Sequence, residues 1–133
     1  MNEFYLLIVG SRSMTIYSFI ENYLNNLVRE RLQGYDIVVV SGGAKGVDTM
    51  AERWADNNGY KKVIMPADWE NEGKSAGFRR NVRMHQFIAE KDNKLVVAFW
   101  DGISTGTAHN FELCRKYDNE LLLINLRDIV CEQ

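Results

Sequence analysis

The apolar residues of this chain fall into short unbroken runs that alternate with stretches where they recur every three or four positions. Phe4 to Val9 is almost wholly apolar and stops at Gly10-Ser11-Arg12-Ser13, which predicts a central strand opening into a small polar loop. From Ile16 the apolar positions are Ile16, Phe19, Ile20, Tyr23, Leu24, Leu27, Val28 and Leu32, the spacing of one helix face, with Gly34 as its stop. Ile37 to Ser41 reads as a second strand. Val47, Met50, Ala51, Trp54 and Ala55 then predict a second amphipathic helix that ends near Asn57-Asn58-Gly59, and Lys62 to Met65 a short third strand.

The stretch from Pro66 to Gly77 holds the chain's only proline and is longer than a strand-to-helix loop usually needs, which makes it a functional candidate. A third helix is expected over about Gly77 to Glu90, with Met84, Phe87 and Ile88 inward and Arg80 one turn earlier on the same side. Leu95 to Trp100 predicts a fourth strand, residues 101–107 its loop, Ala108 to Tyr117 a fourth helix and Leu121 to Asn125 a fifth strand. The residues after Asn125 show no pattern. Strands alternating with helices imply an α/β fold, a Rossmann-like three-layer sandwich with a five-stranded parallel sheet of order 3-2-1-4-5 and helices on both faces. Ligands of such sheets bind beyond the strands' carboxyl ends where the strand order reverses, between the loops after the first and fourth strands.

Composition narrows the class. With 133 residues, 46% hydrophobic and 26% charged, the whole chain, 1–133, is expected to form a single domain. A formal charge of −2 argues against coating nucleic acid by bulk electrostatics, so any anion site is local. Two cysteines, Cys114 and Cys131, are too few for a disulfide framework, and no apolar run is long enough for export or a membrane span. The expectation is a cytoplasmic protein with no membrane partner. His85 and His109 stand singly on helices, so no metal site is expected.

The chemistry gathers at the carboxyl-end loops. Ser41-Gly42-Gly43-Ala44-Lys45-Gly46-Val47-Asp48 joins a strand to a helix start. Its glycines permit positive φ and close backbone approach, and the first-turn N–H groups have no partners within the helix, a recipe for holding phosphate. It fits neither the P-loop nor GxGxxG spacing, and a tight turn capped by Asp48 or Ser41 is the alternative. Ser104-Thr105-Gly106-Thr107 is a second such cradle, or a capping sequence. Arg12, Lys45, Lys74, Arg79, Arg80 and Arg83 all fall in or just after carboxyl-end loops, where they form either a phosphate or pyrophosphate site or ordinary surface charge. Trp69, in a polar loop, could stack on a base, whereas Trp100 reads as core; Asp68 and Asp101 could meet ribose hydroxyls, act as acid or base, or form turns.

Four blocks in order resemble the SLOG superfamily, the Rossmann-like group that includes the Lonely Guy proteins and DNA-processing protein A, and within it the YpsA-like domain-of-unknown-function family. They are Gly10-Ser11-Arg12; Ser41 to Asp48 with Ala51; Pro66-Ala67-Asp68-Trp69 with Gly73, Ala76-Gly77 and Arg79-Arg80-Asn81; and Phe99-Trp100-Asp101-Gly102 with Ser104, Gly106-Thr107 and His109. The resemblance implies a nucleotide-derived ligand, such as an ADP-ribose or NAD derivative or a cyclic nucleotide, and no fixed cofactor. Arg80 is similar to the arginine on which Lonely Guy phosphoribohydrolases depend, but Asn110 stands where they carry a glutamate, with Glu112 two residues on. The expected ligand contacts are Gly10, Ser11, Arg12, Ser41, Gly42, Gly43, Lys45, Gly46, Asp48, Asp68, Trp69, Arg79, Arg80, Asn81, Asp101, Ser104, Gly106 and Thr107. A binder that senses or sequesters such a ligand is expected first. An N-glycoside hydrolase using Arg80 with Asp101, Asp68 or Glu112 comes second, and a single-stranded nucleic-acid binder third; a homo-oligomer stays open.

Overall fold

A computed structural model describes residues 2–127. The elements run β1 (Glu3–Gly10), α1 (Tyr17–Arg31), β2 (Asp36–Ser41), α2 (Val47–Asn58), β3 (Lys61–Ile64), α3 (Trp69–Glu72), a 3-10 turn (Gly73–Ser75), α4 (Ala76–Ala89), β4 (Lys94–Trp100), α5 (Thr105–Tyr117) and β5 (Leu121–Asn125). All strands are parallel, in the order β3-β2-β1-β4-β5, as the alternation of runs predicts.

Alternate residues of a strand face opposite sides of a sheet, and β1 shows why its sequence is apolar without a break. Leu6 and Ile8 join the core under α1 and α2 with Ile20, Leu24, Trp54 and Phe99. Leu7 and Val9 turn the other way, onto Met84 and Ile88 of α4 and Cys114 of α5. Helix α1 has no side-chain cap at its N-terminus, so packing holds it: Ile20, Leu24 and Leu27 are its buried residues. Each such side chain contributes ~1.5–3 kcal/mol when fully buried, and Leu24→Ala should cost ~2–5 kcal/mol.

Two departures from the expected elements matter for the cleft. The connection from Pro66 to Gly77, expected as loop, contains α3 and the 3-10 turn. Asp68 caps α3 by accepting from the Asn71 N–H at 3.3 Å, and so short a helix has no room for an apolar period. Helix α5 starts at Thr105 instead of Ala108, because Ser104 caps a first turn made of polar residues and glycine. Among the described residues no helix is long and apolar enough to cross a membrane. Cys131 lies outside the described residues, and Cys114 is buried, its thiol pushed up to about 11 by burial.

Candidate functional site

The loops after β1 and β2 are fastened to each other. Gly46 has φ +75°, and a Cβ there would run into the Ser11 carbonyl and come within 2.7 Å of the Arg12 backbone. Only glycine can bring the two loops so close. Across that contact Val47 N–H donates to the Ser11 carbonyl at 3.1 Å, while Ser11 N–H donates to the Phe99 carbonyl at 3.0 Å. Within the glycine loop, Gly43 N–H donates to Ser41 Oγ (3.2 Å) and Ala44 N–H to Asp48 Oδ2 (3.1 Å). The N–H groups of Gly43, Ala44 and Val47, expected to meet a phosphate, thus already have protein acceptors.

The start of α5 also reaches the cleft. Asp101 Oδ1 accepts from the N–H groups of Ile103 (2.9 Å) and Ser104 (2.8 Å), and Ser11 Oγ donates to Oδ2 at 3.1 Å. These donors hold the Asp101 carboxyl below the usual range, backbone N–H of Ser104 first, and spend it on shaping the turn. Thr107 N–H reaches only a long 3.5 Å contact with Ser104 Oγ. The N–H groups of Thr105 and Gly106 have no acceptor among the described residues. Both residues line a cleft of about 310 Å³.

Four elements close that cleft. Arg12 enters from the end of β1, Asp48 from α2, and Arg80 and Asn81 from α4, opposite the first turn of α5. Arg80 is only 7% exposed. Its Nη1 donates to the Gly42 carbonyl and its Nε to Asn81 Oδ1 at 3.0 Å. Burial lowers its pKa, with the nearby Asp48 opposing that, and a guanidinium stays charged regardless. The mouth is aromatic: Trp69 is 52% exposed and Phe78 47%, and both line the cleft.

A chain of amides fixes the wall. Asn81 Nδ2 donates to the Gly106 carbonyl at 3.3 Å, and Asn110 Nδ2 to the same oxygen at 3.2 Å. That orients Asn110 Oδ1 toward His85 Nε2 at 2.9 Å, so Nε2 carries the hydrogen and Nδ1 accepts from Asn119 Nδ2 at 3.1 Å. Burial pushes His85 down to about 4, so the ring is neutral. His85 is thus a structural histidine. His109 is half-buried beside Asn81, with Phe78 edge-on to its ring at 4.7 Å. Among the described residues no group of three His, Cys, Asp or Glu could hold a metal ion.

Asp48 is the cleft's carboxylate. It is 7% exposed, and Ala44 N–H is its one donor among the described residues. Burial pushes its pKa up to about 6; the Ala44 N–H, Arg80 and Arg12 pull the other way, and Glu52 adds to the rise.

The remaining expected contacts are distributed as follows. Gly10, Ser104, Gly106 and Thr107 line the cleft. Gly42 stands behind the Arg80 guanidinium, and Gly43 and Gly46 shape the loop. Ser41 is buried and donates to Glu52 Oε2 at 2.8 Å, while Lys45 is exposed away from the cleft. Arg79 is exposed beside Ser75, and Glu112 is exposed on α5. Asp68, Asp101 and Ser11 serve the turns described above. Trp100, expected as core, is half-buried, donating from Nε1 to the Ser104 carbonyl at 3.0 Å and packing edge-on against Phe111. Thr105, part of the second expected cradle, lines the cleft too, and Phe78 and Asn110 line it without having been expected there. Phe78 had a signal: an aromatic at the start of α4, off the buried stripe of Ala76, Arg80, Met84 and Ile88.

Residues 5–71 match the profile of the YspA, cpYpsA-related SLOG family. A curated relative, the Gene 61 protein of Mycobacterium phage D29, is 41% identical over 80 residues, 56% of this chain; that match spans 61% of the relative's length. Two structures of the C-terminal domain of PF1911 hydrogenase from Pyrococcus furiosus superpose with TM-scores of 0.51 and 0.50. They cover 91% and 92% of this chain and 90% and 93% of theirs, at 13% and 14% identity. At that identity the likeness is one of fold alone.

Proposed function

This chain belongs to the YspA, cpYpsA-related SLOG family, and on that premise we propose that it is a cytoplasmic single-domain protein whose cleft binds a nucleotide-derived ligand. The phosphate sits on the free N–H groups of Thr105 and Gly106, at the positive end of α5, with Arg80, Arg12 and Lys74 neutralising it. Trp69 and Phe78 supply apolar faces for the base at the mouth. The observation that carries the reading is the shared cleft: a buried, fixed guanidinium opposite a helix start with unsatisfied donors. Sensing or sequestering such a ligand, of which ADP-ribose and NAD derivatives and cyclic nucleotides are the classes to test, needs nothing more from the site.

Calorimetry against AMP, ADP-ribose, NAD and cyclic nucleotides tests it. At least one should bind, and Arg80→Ala should weaken that binding by about tenfold or more, the loss of a charge-assisted hydrogen bond. Failure of all of them to bind overturns the reading. The competing reading, hydrolysis of an N-glycosidic bond, needs a carboxylate beside the sugar. Asp68, Asp101 and Glu112 do not line the cleft, and among the described residues Asp48 is the carboxylate that does. Chromatographic detection of free base after incubation with a nucleoside monophosphate would decide for the enzyme.

A further inference from the structure

A carboxylate has room for about four hydrogen bonds, and Asp48, a residue only 7% exposed, receives one among the described residues, from Ala44 N–H. The acceptor capacity that the protein leaves unused is open to the cleft that Asp48 lines, where donors on a ligand can take it up. The neighbours restrict what those donors can be. Arg12 and Arg80 flank Asp48 and disfavour a cationic amine, while the carboxylate's own charge keeps the ligand's phosphate away from it. Neutral hydroxyls meet both conditions.

We propose that Asp48 makes this a site for ribose rather than deoxyribose, its carboxylate accepting from the vicinal hydroxyls of a sugar phosphate anchored at the start of α5. The inference rests on the nucleotide reading for the anchoring phosphate and adds the class of sugar. Phosphate and sugar then take different walls: α5 with Arg80 holds the anion, and the first turn of α2 holds the diol. A site built to receive hydrogen bonds from a hydroxyl discriminates strongly against the analogue that lacks it, because the buried acceptor is left unpaired.

The test uses the full chain with ribose 5-phosphate, 2-deoxyribose 5-phosphate and inorganic phosphate, titrated by calorimetry. Ribose 5-phosphate should bind about tenfold or more tighter than its deoxy analogue. Asp48→Asn keeps an acceptor for the Ala44 N–H while losing the charge, and should bring that ratio below about threefold; Asp48→Ser should do the same if the Asn variant folds poorly. A wild-type ratio near one, or a ratio that survives both substitutions, overturns the inference. Phosphate binding with no preference between the sugars removes this inference alone. If neither phosphate nor either sugar phosphate binds, the nucleotide reading falls with it.

Discussion

The guanidinium of Arg80 packs against the backbone of Gly42, whose carbonyl it hydrogen-bonds, and a methyl group at residue 42 would stand 2.7 Å from its Cζ. The glycine that looks from the sequence like a phosphate contact is there to admit an arginine. Gly42→Ala should therefore push Arg80 out of place while leaving the fold intact, since the obstructed atoms are the end of a flexible side chain. We expect phosphate and sugar-phosphate binding to drop about tenfold or more, with a stability cost of only ~1–2 kcal/mol for the displaced hydrogen bonds. Calorimetry beside thermal unfolding checks it; unchanged binding would mean that Arg80 does not touch the ligand.

Gly46 gives the opposite prediction. Its Cβ would meet main chain, near the Ser11 carbonyl and the Arg12 backbone, and its φ of +75° is itself unfavourable for an L side chain. Gly46→Ala should cost roughly 3 kcal/mol or more. Denaturant unfolding would read this as a lower midpoint at constant slope, and a loss within 0.5 kcal/mol would contradict the close approach of the two loops.

The pH dependence of stability carries two opposed contributions. Asp48 rises from an ordinary 3.8 to about 6, so folding favours its protonated form. Its penalty is absent below pH 4, grows between 4 and 6, and is complete above. His85 falls from 6.5 to about 4, so its neutral form is favoured and stability is lost as pH falls from 6.5 toward 4. At ~1.4 kcal/mol per pKa unit each amounts to a few kcal/mol and they largely cancel. Asp48→Asn should raise the stability of the ligand-free protein at pH 8 by ~1–3 kcal/mol, and expose the histidine's slope between pH 4 and 6.5. Thermal melts across that range would show it, and parallel curves for the two proteins would refute the assignment to Asp48.

Trp69→Ala separates base from sugar phosphate. Trp69 is half exposed at the mouth and its substitution removes little core. Loss of an aromatic platform costs ~1–3 kcal/mol per stacked base. Binding of a nucleoside monophosphate should weaken accordingly while ribose 5-phosphate is unaffected; equal losses for both ligands would assign Trp69 another role.

The sheet was legible in the sequence because the runs that build it, Phe4 to Val9 above all, are buried on both faces and are therefore apolar without a break over a strand's length. Helix α3 was not, being held by one cap and a few local contacts with none of its residues buried. The cleft was legible by region and not by atom. The glycine block, Arg80 and the Ser104–Thr107 turn all come to one edge of the sheet. Whether a particular N–H is free, however, depends on acceptors supplied from elsewhere in the chain, such as the Ser11 carbonyl for Val47 and the Asp48 carboxylate for Ala44. No spacing rule encodes those acceptors, which take up the N–H groups of Gly43, Ala44 and Val47.

The tryptophans occupy three different surroundings. Trp54 is sealed in the core with its Nε1 on Asn25, Trp100 is half-buried with its Nε1 on the carbonyl that begins α5, and Trp69 stands in water at the mouth. The molecule therefore carries its own fluorescent reporters: quenching of the red-shifted emission of Trp69 follows occupancy, and a red shift of the blue emission of Trp54 follows unfolding, so both can be read from one unlabelled sample.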